Sequence, residues 1–380
     1  MNSLFSIKYK NFFLKIKVLG IKLDLSAYSI AFFVRSILRK YNYIAIYRIL
    51  KEKNDNVVVI ELNDFHGEVL PSWKYHLKKL GNKTLFLVHP KIYDENPFYN
   101  EIFNVIKIDY NYVLFLINLG FLFRYKRIIF NSDYIYERPF GGRSFLYNMI
   151  KFKYIGNILF LSHHANLTIE NKGLTSSKKI ITLSRAVSNK TNIHYFFPKL
   201  NSSNIATYNK LKRIIIVGNM KHISKDYKGL LLALEKLKSK KQPSFSLDLV
   251  GKIHKNLPRS DFINYHNRLN FKELHSLLTK SHFILFLLKK TEGHQYKSTD
   301  ITGSFLLALN FGLIPVLEDS FQGFYELDES NSVVYNEING ISNALDEISN
   351  MSKTKYTKLQ VSLSKLTKNL EKDSLRNSNI

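Results

Sequence analysis

The chain has 380 residues, 45% of them hydrophobic, no cysteine, and 56 Lys and Arg against 30 Asp and Glu, a formal net charge of +26. That length suits two domains, the apolar content excludes a disordered chain, and the lack of cysteine excludes disulfides and thiolate metal sites and fits a reducing compartment. The charge points to an anionic partner or to a composition rich in Lys, Asn, Ile and Tyr; no nucleic-acid-binding signature accompanies it, so nucleic acid is not an expected partner.

Residues 1–53 form a basic segment with almost no acid, in which Phe5, Ile7, Phe12, Phe13, Leu14, Ile16 and Val18 interleave with Lys8, Lys10, Lys15 and Lys17. No signal-peptide pattern is visible there. Residues 25–39 read as an amphipathic or buried helix. The longest apolar run, residues 112–123 (YVLFLINLGFLF), is shorter than the roughly 20 residues that a membrane span needs. Both segments are suited instead to lie on an anionic membrane surface or to be buried in the first domain. The expected location is cytoplasmic, peripheral on the inner face of the plasma membrane.

From residue 57 strand and helix signals alternate. VVVIEL (57–62), KTLFLV (83–88), VIKID (105–109), RIIFNS (127–132), NILFLSHH (157–164) and KIITLS (179–184) are short apolar runs, as in parallel strands covered on both faces. Pro71 opens the first helix and Gly81 ends it. Residues 195–198 (YFFP) and the polar stretch 201–209 look like a connection, after which the cycle restarts. RIIIVGN (213–219), a periodic helix over 228–238, SLDLVG (246–251), a capping box of Asn270 and Glu273, HFILFLL (282–288), a helix over 303–311 closed by Gly312, and LIPVLE (313–318) follow. A polar helix over 353–372 ends the series. The expected architecture is α/β, with two Rossmann-like parallel-sheet domains facing a cleft. Its divisions are a basic segment (1–53), a first Rossmann-like domain (54–205), a second Rossmann-like domain (206–350) and a C-terminal helix and tail (351–380).

Ligands of open parallel sheets bind beyond the carboxyl ends of the strands. In the second domain, Gly218 and Asn219 lead into a loop with Lys221, Lys225 and Lys228, and Lys228–Gly229 opens a helix. Lys221 and Lys228, with backbone amides at Gly218 and Gly229, suit a diphosphate. After residues 282–288 comes KKTEGHQYKSTDITGS, where Thr302, Gly303 and Ser304 begin the next helix and Lys297 adds charge. Each lysine also fits a solvated face, and the Thr or Ser an ordinary helix cap. In the first domain, ELNDFHGEVLP places Asp64, His66 and Glu68 after the first strand, and His163 and His164 end a later one. No Asp-x-Asp metal motif follows a strand, so neither metal nor other cofactor is expected.

The series IIIVGN, KG, LDLVG, HFILFLL, EG and ITGSFLLALNFGLIPV resembles the donor-binding domain of GT-B glycosyltransferases. The resemblance implies a nucleoside-diphosphate sugar as donor, bound by the second domain, with metal-independent transfer to a glycan or glycolipid acceptor. In many retaining members a Glu-Gly pair and a second acid eight residues on follow this strand; Glu292–Gly293 and Asp300 stand at that spacing. Here the second acid is Asp, and Asn219 stands near where an arginine is usual, so the retaining or inverting outcome stays open. In some inverting members a His in the loop after the first strand is the general base, which implies that role for His66, with Asp64, Glu68 and His164 near the acceptor. The HGE…P loop and the leader over residues 2–26 are similar to bacterial glycosyltransferases of lipopolysaccharide and capsule synthesis. A non-catalytic scaffold of a polysaccharide assembly complex is the alternative reading.

Overall fold

In a computed structural model of the protein, the residues described are 5–10, 13–18, 21–26, 56–63, 66–95, 104–108, 125–132, 158–163, 180–191, 194–197, 206–238, 244–252, 258–267, 269–297, 301–336 and 340–377. The chain forms two compact units, residues 1–54 and 55–380. In the first, β1 (Phe5–Lys10), β2 (Phe13–Val18) and β3 (Ile21–Ser26) make an antiparallel meander. Its register sets Phe5 opposite Val18, Ile7 opposite Ile16, and Leu14 opposite Leu25. Apolar positions therefore line up across the strands, as do lysine positions such as Lys8 and Lys15. The helix expected over 25–39 does not start at Leu25, because Leu25 and Ser26 end β3; its remaining residues and the run 112–123 lie outside the described residues.

The second unit carries two parallel sheets. The first comprises β4 (Val57–Glu61), β5 (Thr84–Val88), β6 (Val105–Lys107), β7 (Arg127–Phe130), β8 (Ile158–Ser162), β9 (Ile180–Thr182) and β10 (His194–Tyr195). Their spatial order is β10-β9-β8-β7-β4-β5-β6. The second comprises β11 (Lys212–Val217), β12 (Phe245–Val250), β13 (Ile263–His266), β14 (Phe283–Leu285), β15 (Ile314–Glu318) and β16 (Val333–Tyr335), in the order β13-β12-β11-β14-β15-β16. Each sheet starts in its interior and grows first to one side, then to the other. The direction of growth changes between β4 and β7 in one sheet and between β11 and β14 in the other. Such switch points open a crevice at the carboxyl ends of the strands.

The strands form because covered parallel strands tolerate few polar side chains. Residues 57–60 of β4 are all buried Val or Ile. Helix α1 (Leu70–Lys79) follows, with Pro71 in its first turn and Trp73 and Leu77 buried against the sheet. Helices α2 (Pro90–Glu95) and α3 (Arg185–Thr191) complete the described helices of this half. In the other half, α4 (Tyr227–Lys238) and α8 (Gly340–Ser349) cover one sheet face. Helices α5 (Phe271–Leu278) and α6 (Gly303–Phe311) pack toward the opposite face. The capping box of Asn270 and Glu273 is present at α5, and Gly312 closes α6 in the left-handed conformation. Beyond the expected strands, β10, β13 and β16 complete the two sheets; a short α7 (Gln322–Tyr325) lies between β15 and β16.

The polar helix expected at the C-terminus is α9 (Lys353–Asn377), and it joins the halves. Twenty-five residues span roughly 37 Å. Near its start Tyr356 and Gln360 donate to the Ala206 carbonyl. Near its end Glu371 accepts from Tyr75 and Lys79, and the Ser374 hydroxyl accepts from the Phe197 amide. Arg185 of the first half pairs with Asp373 of this helix and with Glu326 of the second half. One apolar core includes residues of both halves, among them Trp73, Phe196, Phe286 and Phe305.

Candidate functional site

At the first switch point β4 ends on Glu61, whose side chain is wholly buried. One carboxylate oxygen accepts the Asn63 amide at 2.7 Å; the other accepts Asn131 Nδ2 at 2.8 Å and Ser132 Oγ at 2.6 Å. Burial pushes this carboxyl above its ordinary range, while the three hydrogen bonds pull the other way. Asn131 Nδ2 also donates to the His66 carbonyl at 3.1 Å, and Asn131 Oδ1 accepts Trp73 Nε1 at 2.8 Å. His163 Nε2 lies 2.8 Å from the Asn131 carbonyl. A carbonyl only accepts, so that nitrogen carries the proton. The His66 and His163 rings stack with centroids 3.7 Å apart.

His66 is the residue expected to act as base, and it stands in the left-handed region with φ 65°. Its neighbour Gly67 sits so close to α5 that a Cβ there would lie 3.5 Å from the Phe271 ring. The loop after β4 therefore abuts the second half. Asp64 and His164 lie outside the described residues, and Glu68 falls in a single 3-10 turn, Gly67–Val69.

At the second switch point, Gly218 follows β11 with φ 123°, which a side chain would strain, and an added Cβ would meet nothing within 4 Å. The loop that follows is tied to the end of β14: the Asp226 amide donates to the Leu287 carbonyl, and the Lys289 amide to the Ser224 carbonyl. Lys225 Nζ donates to the Phe286 carbonyl at 2.8 Å, and burial lowers its pKa to about 8. Leu287 is held at φ 51°, a conformation that costs a non-glycine residue about 1–2 kcal/mol.

The expected donor residues are placed unevenly around this crevice. Lys221 and Lys228 are exposed. The Gly229 amide is already taken: Asp226 caps α4 and accepts it at 3.0 Å, and a Cβ on Gly229 would stand 2.2 Å from that carboxylate. The start of α6 differs. Thr302 is its first flanking residue, no side chain caps it, and Gly303 faces open space. Thr302 and Ser304 are largely buried. Lys297 donates to the Lys290 carbonyl and lies over the Phe321 ring. Glu292 accepts from Lys289 and Thr291, and the Lys289 contact lowers its pKa. Asp300 lies outside the described residues.

Sequence reasoning did not single out Glu61, Asn131 or Ser132, and it named Lys225 as a loop lysine without choosing it as a donor ligand. The available signal for Glu61 was an acid inside a fully apolar strand run; for Lys225 it was an Asp immediately afterwards, at a helix-capping position. A trough of about 600 Å³ beside α5 includes Arg213 and Lys280 in its lining, near the amino ends of β11 and β14, away from both switch points. Among the described residues no cluster of three or more His, Cys, Asp or Glu could hold a metal ion, and no helix is long and apolar enough to cross a membrane.

No protein-family model matches the chain, and no curated protein matches it in sequence. Solved structures do match. A glycosyltransferase from Rickettsia africae superposes with TM-score 0.56 at 13% identity, over 85% of this chain and 97% of that one. Anabaena HepE in complex with UDP-glucose gives TM-score 0.57 at 10% identity, over 85% and 98%. A sucrose-phosphate synthase from Thermosynechococcus elongatus gives 0.54 at 10%, over 84% and 97%. The protein has the GT-B fold of these structures. A Listeria monocytogenes structure named for UDP-N-acetylglucosamine 2-epimerase reaches TM-score 0.50 at 12% identity, over 81% and 91%.

Proposed function

We propose that the protein is a glycosyltransferase that moves a sugar from a nucleoside diphosphate to a hydroxyl of a growing glycan. The observation that carries this reading is the second switch point, where the loop bearing half-buried Lys225 is tied to the end of β14 and α6 begins uncapped. Two sources of positive potential, an amine and a helix N-terminus, suit a diphosphate. Lys225 takes the role expected of Lys228, with Thr302, Gly303 and Ser304 offering amide and hydroxyl donors. Glu292 stands on the sugar side.

In the reaction the anomeric C–O bond to the diphosphate breaks and a C–O bond to the acceptor oxygen forms. The acceptor's hydroxyl proton passes to His66, and the nucleoside diphosphate departs with both electrons of the broken bond. Positive groups around the diphosphate stabilise the charge that develops on it. The acceptor is a lipid-linked surface glycan, as in lipopolysaccharide or capsule synthesis. The basic first unit, with its aligned apolar and lysine positions, holds the enzyme on an anionic membrane.

Calorimetry with a panel of UDP-, GDP-, CMP- and dTDP-sugars tests the donor site. Binding by none of them removes the transferase reading and leaves the scaffold. Isomerisation of a bound sugar nucleotide without an acceptor would instead align the protein with the Listeria structure's named activity. Anionic vesicles test the membrane contact: binding should fall with salt and weaken when residues 1–20 are deleted.

A further inference from the structure

Glu61 is out of place by every rule that makes β4 a strand. The four residues before it are buried Val and Ile. An ionised carboxylate at the same depth costs several kcal/mol unless donors compensate. Three do: the Asn63 amide, Asn131 Nδ2 and Ser132 Oγ. A strand end that served only the core would be cheaper as another valine.

The donors show where the effect goes. Asn131 is fixed in orientation, because its Nδ2 faces a carboxylate, which only accepts, and its Oδ1 faces the Trp73 indole, which only donates. From that fixed position it binds the His66 carbonyl through Nδ2, and its own carbonyl receives His163 Nε2. Thus one residue holds the strained backbone of His66 and the ring of His163, and the two rings stack at 3.7 Å. The negative charge of Glu61 strengthens the bond that orients Asn131. Glu61, Asn63, His66, Trp73, Asn131, Ser132 and His163 meet here, and Glu61 is the one acid among these seven.

We propose that Glu61 is a positioning residue that acts through Asn131 to hold the His66–His163 pair at the mouth of the first sheet. This rests on the reading of His66 as the base that receives the acceptor proton. Glu61 does not touch the substrates. Through the Asn131 side chain it holds the backbone from which the His66 ring projects, while the Asn131 backbone carbonyl receives the Nε2 proton of His163.

The test is Glu61→Gln, which keeps shape but turns one acceptor oxygen into an NH₂ group that faces the Asn63 amide or the Asn131 and Ser132 donors. The expected result is a kcat lower by about 10–100-fold, the loss that follows a small misplacement of a catalytic group. The donor KM should stay within about twofold, because the second switch point is untouched. Ser132→Ala, which removes one of the three donors, should lose less. In parallel, imidazole ¹⁵N and ¹³C resonances of His66 and His163 are followed in both proteins; they should shift and broaden in Glu61→Gln. Unchanged histidine resonances overturn the proposal, whether or not a transfer reaction is found. Shifted resonances with unchanged kcat overturn it as well. If no sugar nucleotide binds wild type while the resonances respond, the function fails and the positioning network stands.

Discussion

The two switch points of this fold are built with opposite charges. Beyond β4 and β7 the buried ion is an acid, Glu61, held by three donors. Beyond β11 and β14 it is an amine, Lys225, which donates to one backbone carbonyl. The acid is saturated and turned inward; its effect reaches the crevice only through Asn131 and the histidines. The amine has satisfied one of its three protons with a neutral carbonyl, and burial has already lowered its pKa to about 8. An anion beside Lys225 would favour its charged form and raise its pKa again. Under the proposed function the first crevice would handle the proton and the second bind the anion, although both are made by the same βαβ arrangement.

The sharpest way to break this division is His66→Ala. If the first crevice handles the proton, turnover falls by about 10²–10⁴-fold, while calorimetry finds donor affinity unchanged. A variant with near-full turnover would make His66 a structural residue and leave the first crevice without its role. The mirror experiment is Lys225→Met, which retains the buried stem and removes the charge. Losing a charge-assisted phosphate contact of about 1.5–3 kcal/mol weakens donor binding by roughly 10–150-fold, with little change in the acceptor's KM. Equal donor affinity in the two proteins would place the diphosphate elsewhere.

The alternation of strands and helices, the fold class and the strand ends were legible in the sequence because parallel strands buried on both faces leave continuous apolar runs. The capping box at Asn270 and the αL stop at Gly312 were legible because cap chemistry is local. Glu61 and Asn131 were not, since they belong to different strands and only sheet order makes them neighbours. The preference for Lys225 over Lys228 turned on a single position: α4 begins at Tyr227, so Asp226 becomes its cap and fills the helix end that a phosphate was expected to use. The C-terminal helix read as polar because it buries only one narrow stripe, Tyr356, Leu359, Leu363, Thr367, Leu370 and Ser374, spaced three or four positions apart and partly made of polar residues.

That helix supplies a further test, of the half that holds the acid. His76 of α1 is buried beneath α9, 3.4 Å from Ser374 Oγ and edge-on to Phe196. Burial lowers its pKa from 6.5 to about 4. The unfolded chain therefore binds this proton first as pH falls, and folded-state stability is full above pH 6.5 and lost progressively toward pH 4. Between pH 6.5 and 5 the loss from this one group is about 2 kcal/mol. Urea midpoints measured across that range should fall in wild type and fall less in His76→Leu. His275 and His282, whose pKa values burial also lowers, leave a residual slope. Identical pH dependence in the two proteins would show that the α1–α9 contact is not what acid breaks.

The smallest expected effect is the most discriminating for the second crevice. Lys228 occupies the place where the family resemblance puts a phosphate-binding lysine, but it is exposed. The adjacent helix end is already occupied by the Asp226 carboxylate, 3.0 Å from the Gly229 amide. A phosphate approaching that end would meet a negative charge before it met the helix dipole. An exposed lysine contributes through screened attraction alone, up to about 1 kcal/mol, so Lys228→Ala should weaken donor binding by no more than about fivefold. Raising the salt concentration should shrink even that difference, because exposed charges are screened over about 10 Å at 0.1 M. Lys225→Met, which removes a half-buried charge, should keep more of its effect under the same salt. A Lys228→Ala loss as large as that of Lys225→Met, and equally salt-resistant, would mean that α4 turns toward the donor when it binds and that Asp226 releases the Gly229 amide to the phosphate.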